Sequence, residues 1–145
     1  MPLRIDTVSF AAEPGIRRVR EQVFMREQGV PEELEWDGED PRAIHVVARN
    51  DDGEVIGTGR LLADGHIGRL AVLPPWRGRG VGSALLQALL DAARGLGLKQ
   101  VFLHARLQAL GFYARHGFKA TGNVFPDAGI PHRTMRRPLD EKATP

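Results

Sequence analysis

The chain has no cysteine among its 145 residues. Disulfides, thiolate nucleophiles and cysteine-bound metals are therefore excluded. Aromatic residues make up only 6%, and no platform on which bases could stack appears among them. No apolar run approaches the roughly 20 residues that span a bilayer. The opening MPLRIDTVSF lacks the apolar core and cleavage site of a secretory signal, so a cytoplasmic location is expected. Neither sign of charge dominates, with 20 Lys plus Arg against 18 Asp plus Glu and a formal charge of +2. That is too mild to argue for nucleic acid. Arg17, Arg18 and Arg20 make a basic patch, but Glu13 and Glu21 flank it. Neither nucleic acid nor membrane is expected as a partner. His45, His66 and His104 stand apart, with no HxxxH spacing or grouped carboxylates, so no metal is expected.

What the chain does contain is a clear alternation of elements. LRIDTVSF, residues 3–10, alternates as a half-buried strand does. Pro14 opens a helix whose Ile16, Val19 and Val23 share one face up to about Gln28. An acidic loop, PEELEWDGEDP, follows. Strands are expected over 43–50 and 54–64, hinged at Asp51, Asp52 and Gly53, and again over 66–73. A helix from Val81 to about Leu96 carries Leu85, Leu89 and Ala92 on one face. Then come a strand over 99–105, a helix over 106–117, and closing strands over 118–125 and 132–139. Hairpins and helical crossovers both occur, which implies a mixed sheet covered by helices.

The segment RLAVLPPWRGRGVGSALL carries the chemistry. A helix start leaves about four N–H groups without partners and concentrates partial positive charge. Gly78, Gly80 and Gly82 let the backbone approach an anion, and Arg77 and Arg79 add donors. No Gly-Lys-Ser/Thr ending is present, which excludes a P-loop, and Ser83 stands where a dinucleotide fingerprint needs its third glycine. The pattern Arg-x-x-Gly-x-Gly remains, matched by Arg77, Gly80 and Gly82.

On these residues the chain resembles the GNAT superfamily of N-acetyltransferases. LHARLQALGFYARHGF resembles its next block through Phe112, Tyr113, Gly117 and Phe118. FMREQGVPEELEWDGED and FPDAGIPHRTM resemble the ElaA-type branch. The resemblance implies an α/β (α+β) fold: a mixed, mostly antiparallel twisted sheet of six to seven strands flanked by about four helices. It implies a single acetyltransferase domain over residues 1–138 with a short tail over 139–145. Acetyl-CoA is the implied co-substrate. Its pyrophosphate would rest on Arg77, Gly78, Arg79, Gly80, Val81, Gly82 and Ser83, and its pantetheine arm on the backbone of Leu70, Ala71 and Val72. Relatives of this kind often form dimers, which leaves a homodimer open.

Acetyl transfer needs a neutral amine, and a lysine-like amine has a pKa of about 10.4. Tyr113, by resemblance, protonates the leaving sulfur as general acid. Glu35 is the candidate base or acceptor-binding group, and Glu27, Asp37 and His132 are candidate acceptor contacts. The acceptor would be a small-molecule or protein amine, and the acidic loop suggests a cationic one. Two other readings stay open: an acyltransferase like the acyl-homoserine-lactone synthases, and a CoA-binding regulatory module without catalysis.

Overall fold

Residues 3–139 are described by the computed structural model. Of the expected tail, residues 140–145 lie outside the described residues. Leu139 is buried, and its N–H donates to the Lys99 carbonyl at 2.8 Å.

Four strands form one antiparallel sheet in the order β1 (Arg4–Val8), β2 (Ile44–Arg49), β3 (Val55–Leu61) and β4 (Ile67–Val72). Three more form a second, in the order β5 (Gln100–Arg106), β7 (Ile130–Pro138) and β6 (Lys119–Asp127). The seven strands do not make one continuous ladder. Among the described residues a single parallel bridge, His66 to Phe102, joins the sheets, with the Phe102 N–H donating to the Gly65 carbonyl at 3.0 Å. Beyond it β4 and β5 diverge. The β3–β4 register shifts between Thr58 and Arg60, and Arg69 opposite adopts a left-handed φ of 50°. Such a bulge bends its strand, and here the bend opens the gap between the sheets.

Four helices cover this frame. α1 (Pro14–Arg20) starts with Pro14, and the Glu13 side chain accepts the Gly15 N–H at 3.2 Å. It buries Ile16 and Val19 and continues as a widened turn over Glu21–Glu27. α2 (Glu32–Glu35) is a short turn inside the acidic loop. α3 (Val81–Gly95) buries Val81, Leu85, Leu86, Leu89, Leu90 and Ala93. It approaches β3 at two glycines: a Cβ on Gly57 would stand 2.9 Å from Leu85, and one on Gly59 2.9 Å from Leu89. Side chains there would push the helix off the sheet. α4 (Leu110–Arg115) carries Phe112 and Tyr113.

The helix expected from Arg106 begins only at Leu110, after a tight turn over Leu107–Ala109. β5 instead continues through Arg106, because Phe102, His104 and Arg106 keep strand parity and pair with Arg136, Thr134 and His132 of β7. β6 likewise runs past Phe125 to Asp127. It turns at Ala128 and Gly129, both with positive φ, as a two-residue hairpin of the right twist requires.

Candidate functional site

The gap between the sheets holds the site. On the α3 side lies a cavity of about 440 Å³, lined by Leu70, Val72, Gly78, Gly80, Ser83 and Tyr113 among others. Gly80 precedes α3 with φ 84°, and Gly78 has φ 76°. A Cβ built on either would meet nothing within 4 Å. The loop backbone therefore faces open space, as a cradle for an anion must. The first helical bond runs from the Ala84 N–H to the Gly80 carbonyl, so the amides of Val81, Gly82 and Ser83 have no helical acceptor. Ser83 Oγ lies 3.0 Å from His116 Nε2. The Arg79 guanidinium sits over Trp76 at 5.3 Å.

Arg77 is engaged elsewhere. Its Nη1 and Nη2 donate to both Glu27 oxygens at 2.6 and 2.7 Å, and its Nε donates to the Val72 carbonyl at 2.9 Å. The hydrogen bonds from Arg77 hold Glu27 below the usual carboxylate range against burial. The Leu73 N–H donates to Ile56 in β3 at 2.9 Å. By the alternation of an antiparallel ladder, the Val72 groups then face the gap.

A second cavity, of about 180 Å³, opens between β4, β5 and the β6–β7 hairpin. It shares Gln28, Leu70, Arg106, Ala109 and Tyr113 with the first. The two cavities therefore meet beside the Tyr113 ring, which packs edge-on against Phe112 and Phe118 at 5.0 and 5.9 Å. Desolvation pushes its phenol up to about 12, against the pull of Arg106, so the hydroxyl keeps its proton at neutral pH. The far wall carries His66, His104 and His132. His66 stacks on Phe102 at 4.7 Å and lies 4.8 Å from the His104 ring. Burial, reinforced by His104, lowers His66 to about 4, leaving it neutral. The three imidazoles, distant in sequence, line one pocket. Among the described residues no group of three or more potential ligands is arranged to hold a metal ion.

The acidic loop turns inward. Arg20, on the apolar face of α1, is 1% exposed. It donates to Glu35 Oε2 at 2.7 Å, Asp40 Oδ1 at 2.7 Å and the Glu35 carbonyl at 3.0 Å. Arg60 binds Asp37 through both terminal nitrogens and reaches Asp40 at 3.0 Å. Arg69, on the bulge, lies 3.2 Å from Glu35 and 3.3 Å from Asp37. Three guanidinium groups thus neutralise three carboxylates. Burial raises Glu35 despite Arg69 and Arg20. Burial also opposes ionisation of Asp37 and Asp40, but arginine hydrogen bonds hold both below the usual range. His45 is buried against the Asp40 carbonyl at 2.9 Å, and desolvation lowers it.

Of the residues expected on the acceptor side, Glu35 and His132 line the smaller cavity, while Glu27 and Asp37 line neither. Leu70, Ala71, Val72, Arg77, Gly78, Gly80, Val81, Gly82 and Ser83 line the larger one, and Arg79 does not. Sequence reasoning put Arg20 in a basic patch, whereas it is buried and ion-paired, and it passed over Arg60, Arg69 and Arg106 as site residues. Arg20 carried a signal, since it lies four residues after Ile16 on the apolar stripe of α1.

A strand-loop-helix cradle beside a splayed sheet, joined to a second cavity at a tyrosine, defines an acyltransferase of the GNAT type. The chain belongs to this family: a profile described as "Acetyltransferase (GNAT) domain" matches residues 11–139. It is 40% identical over 124 residues to the uncharacterised N-acetyltransferase YjcF of Bacillus subtilis, covering 82% of this chain and 87% of that one. Its fold matches an acyl-CoA N-acyltransferase from Pseudomonas aeruginosa with a TM-score of 0.83 and 32% identity, over 94% of this chain and 99% of the other. ElaA of Escherichia coli matches with a TM-score of 0.81 and 26% identity, over the same shares. No helix among the described residues is long and apolar enough to cross a membrane.

Proposed function

We propose that this protein is an acetyl-CoA-dependent N-acetyltransferase that acetylates a primary amine by direct attack on the thioester. The observation that carries this reading is the meeting of the two cavities at Tyr113, Leu70 and Arg106. The larger cavity suits the co-substrate. The amides of Gly78 to Ser83 would hold its pyrophosphate at the helix start. The gap-facing backbone of Leu70 and Val72 would pair with its amide-bearing arm as a strand edge does, while Ala71 stays bonded to β3. Arg77, fixed by Glu27 and the Val72 carbonyl, braces the loop entry, and Arg79 stands beside it. The co-substrate supplies an activated acetyl group as a thioester.

The smaller cavity would receive the amine. Burial raises the proton affinity of the Glu35 carboxylate, which suits its ionised form to take a proton from the incoming ammonium. Both of its closest arginine contacts fall on Oε2. Tyr113 holds its proton at Oη and gives it to the departing sulfur. His66, neutral and stacked on Phe102, adds no fixed charge to its part of the pocket wall. The residue 1–138 unit acts as one domain in this scheme.

Free-thiol release from acetyl-CoA, measured against a panel of primary amines, tests the reading. Amine-dependent release with matching N-acetylated product is the expected result. Tight binding of acetyl-CoA with no release for any amine would favour the non-catalytic module instead.

A further inference from the structure

Three arginines line the two cavities. Arg69 is paired with Glu35 and Asp37, and Arg77 with Glu27. The Arg106 guanidinium has no carboxylate or hydrogen-bond partner among the described residues, although it stands where the cavities meet. Directly across the β5–β7 ladder from it is His132, and facing pairs in such a ladder bring their Cβ atoms within about 5.5 Å. His132 Nδ1 lies 2.6 Å from the Ile130 carbonyl. A carbonyl only accepts, so Nδ1 donates there, and Nε2 remains for the cavity that His132 lines.

The carboxylates near this point are already committed. Glu35 belongs to Arg20 and Arg69, and Asp37 and Asp40 belong to Arg60 and its neighbours. Asp127, half-exposed at the rim, lies 3.7 Å from His104. Glu35 is the one carboxylate of the acidic loop that lines the cavity, and it is already paired, whereas the Arg106 guanidinium at the transfer point has no carboxylate within ion-pair distance among the described residues. A part-buried guanidinium without an anion is costly to keep and matches a planar oxyanion in two-point geometry.

We propose that Arg106, flanked by His132, forms an anion subsite in the acceptor cavity, so that the preferred acceptor is an amine bearing a carboxylate close to its nitrogen. The subsite rests on the acetyltransfer reading for its role, but not for its existence. Arg106 takes the carboxylate through its fork, His132 bounds it from the adjacent strand, and the amine is left beside Tyr113.

Matched amines test this: free amino acids against the corresponding amino acid amides, with thiol release as the readout. The amides are the weaker bases, so intrinsic reactivity works against the expected preference. The wild-type protein should favour the carboxylate member by about tenfold or more in kcat/KM. Arg106→Gln should erase that discrimination, and Arg106→Lys should retain part of it. Independently, N-acetylglycine titrated into the protein should shift the His132 ring resonances saturably, and this response should disappear in Arg106→Gln. Equal or better use of the amides, discrimination that survives Arg106→Gln, or unmoved His132 resonances would each overturn the subsite. Saturable binding of N-acetylglycine without thiol release from any amine would overturn the transfer reading and leave the subsite in place. Loss of both would remove both.

Discussion

Glu27 and Arg77, fifty residues apart in sequence, meet through two hydrogen bonds of 2.6 and 2.7 Å. The pair ties the end of the first helix to the entrance of the glycine loop. Both side chains are more than a third exposed, so the pair adds well under about 1 kcal/mol to folding. Its weight falls on the loop. Glu27→Gln should leave the melting temperature almost unchanged and raise the KM for acetyl-CoA by about three- to tenfold. Steady-state kinetics with acetyl-CoA varied, beside a thermal melt, separate the two effects.

Tyr113 offers a cleaner chemical test. Phenylalanine keeps the edge-on packing with Phe112 and Phe118 and removes only the hydroxyl. Tyr113→Phe should fold normally, hold acetyl-CoA with unaltered affinity and lose about a hundredfold in kcat. Calorimetric titration and thiol release give the two numbers, and full turnover in the variant would remove Tyr113 from the mechanism.

At Gly80 the backbone and the ligand make the same demand. Its φ of 84° is a left-handed conformation that a β-branched residue adopts at a cost of about 1–2 kcal/mol. Gly80 lines the larger cavity, and a Cβ built on it meets nothing within 4 Å. Gly80→Val should lower stability by roughly that amount and raise the acetyl-CoA KM more than about tenfold, measured by urea denaturation and kinetics.

The arginine–carboxylate cluster should dominate the acid side of the stability profile. Asp37 and Asp40 have folded pKa values below their unfolded value of about 3.9. Their contribution is therefore complete above about pH 4 and is lost as pH falls through the folded values. Glu35 is shifted the other way, so what it gives is present below about 4.3 and lost as pH rises through its folded value. With two lowered groups against one raised, the urea midpoint should fall as the pH drops below about 4. Asp40→Asn should flatten that fall. Arg20→Met, which leaves Glu35 and Asp40 buried without their central cation, should cost about 3–5 kcal/mol at pH 7.

The parts of this molecule legible in its sequence are those encoded locally. The glycine loop, the Pro14 helix start, the apolar face of α3 and the seven strands each lie within a short window of chain. Partnerships across the fold were not legible. Glu35, Asp37 and Asp40 suggest an acceptor-facing negative surface, because Arg42 is the one cation close to them in sequence. Their cations come from α1, β3 and β4, between 15 and 34 residues away. The splitting of the sheet was hidden for a similar reason: a bulge at Arg69 appears only once β3 and β4 are paired. The three imidazoles looked unrelated because His66, His104 and His132 lie on separate strands or their margins, and only the packing of β4, β5 and β7 brings them to one wall.

The lone rung between His66 and Phe102 leaves two half-sheets clasped at one end, like an open hinge. Whatever wedges between the free edges of Leu70–Val72 and β5 becomes mortar for both halves. Occupancy and rigidity should rise together, with amide exchange along that edge slowing as the wedge fills.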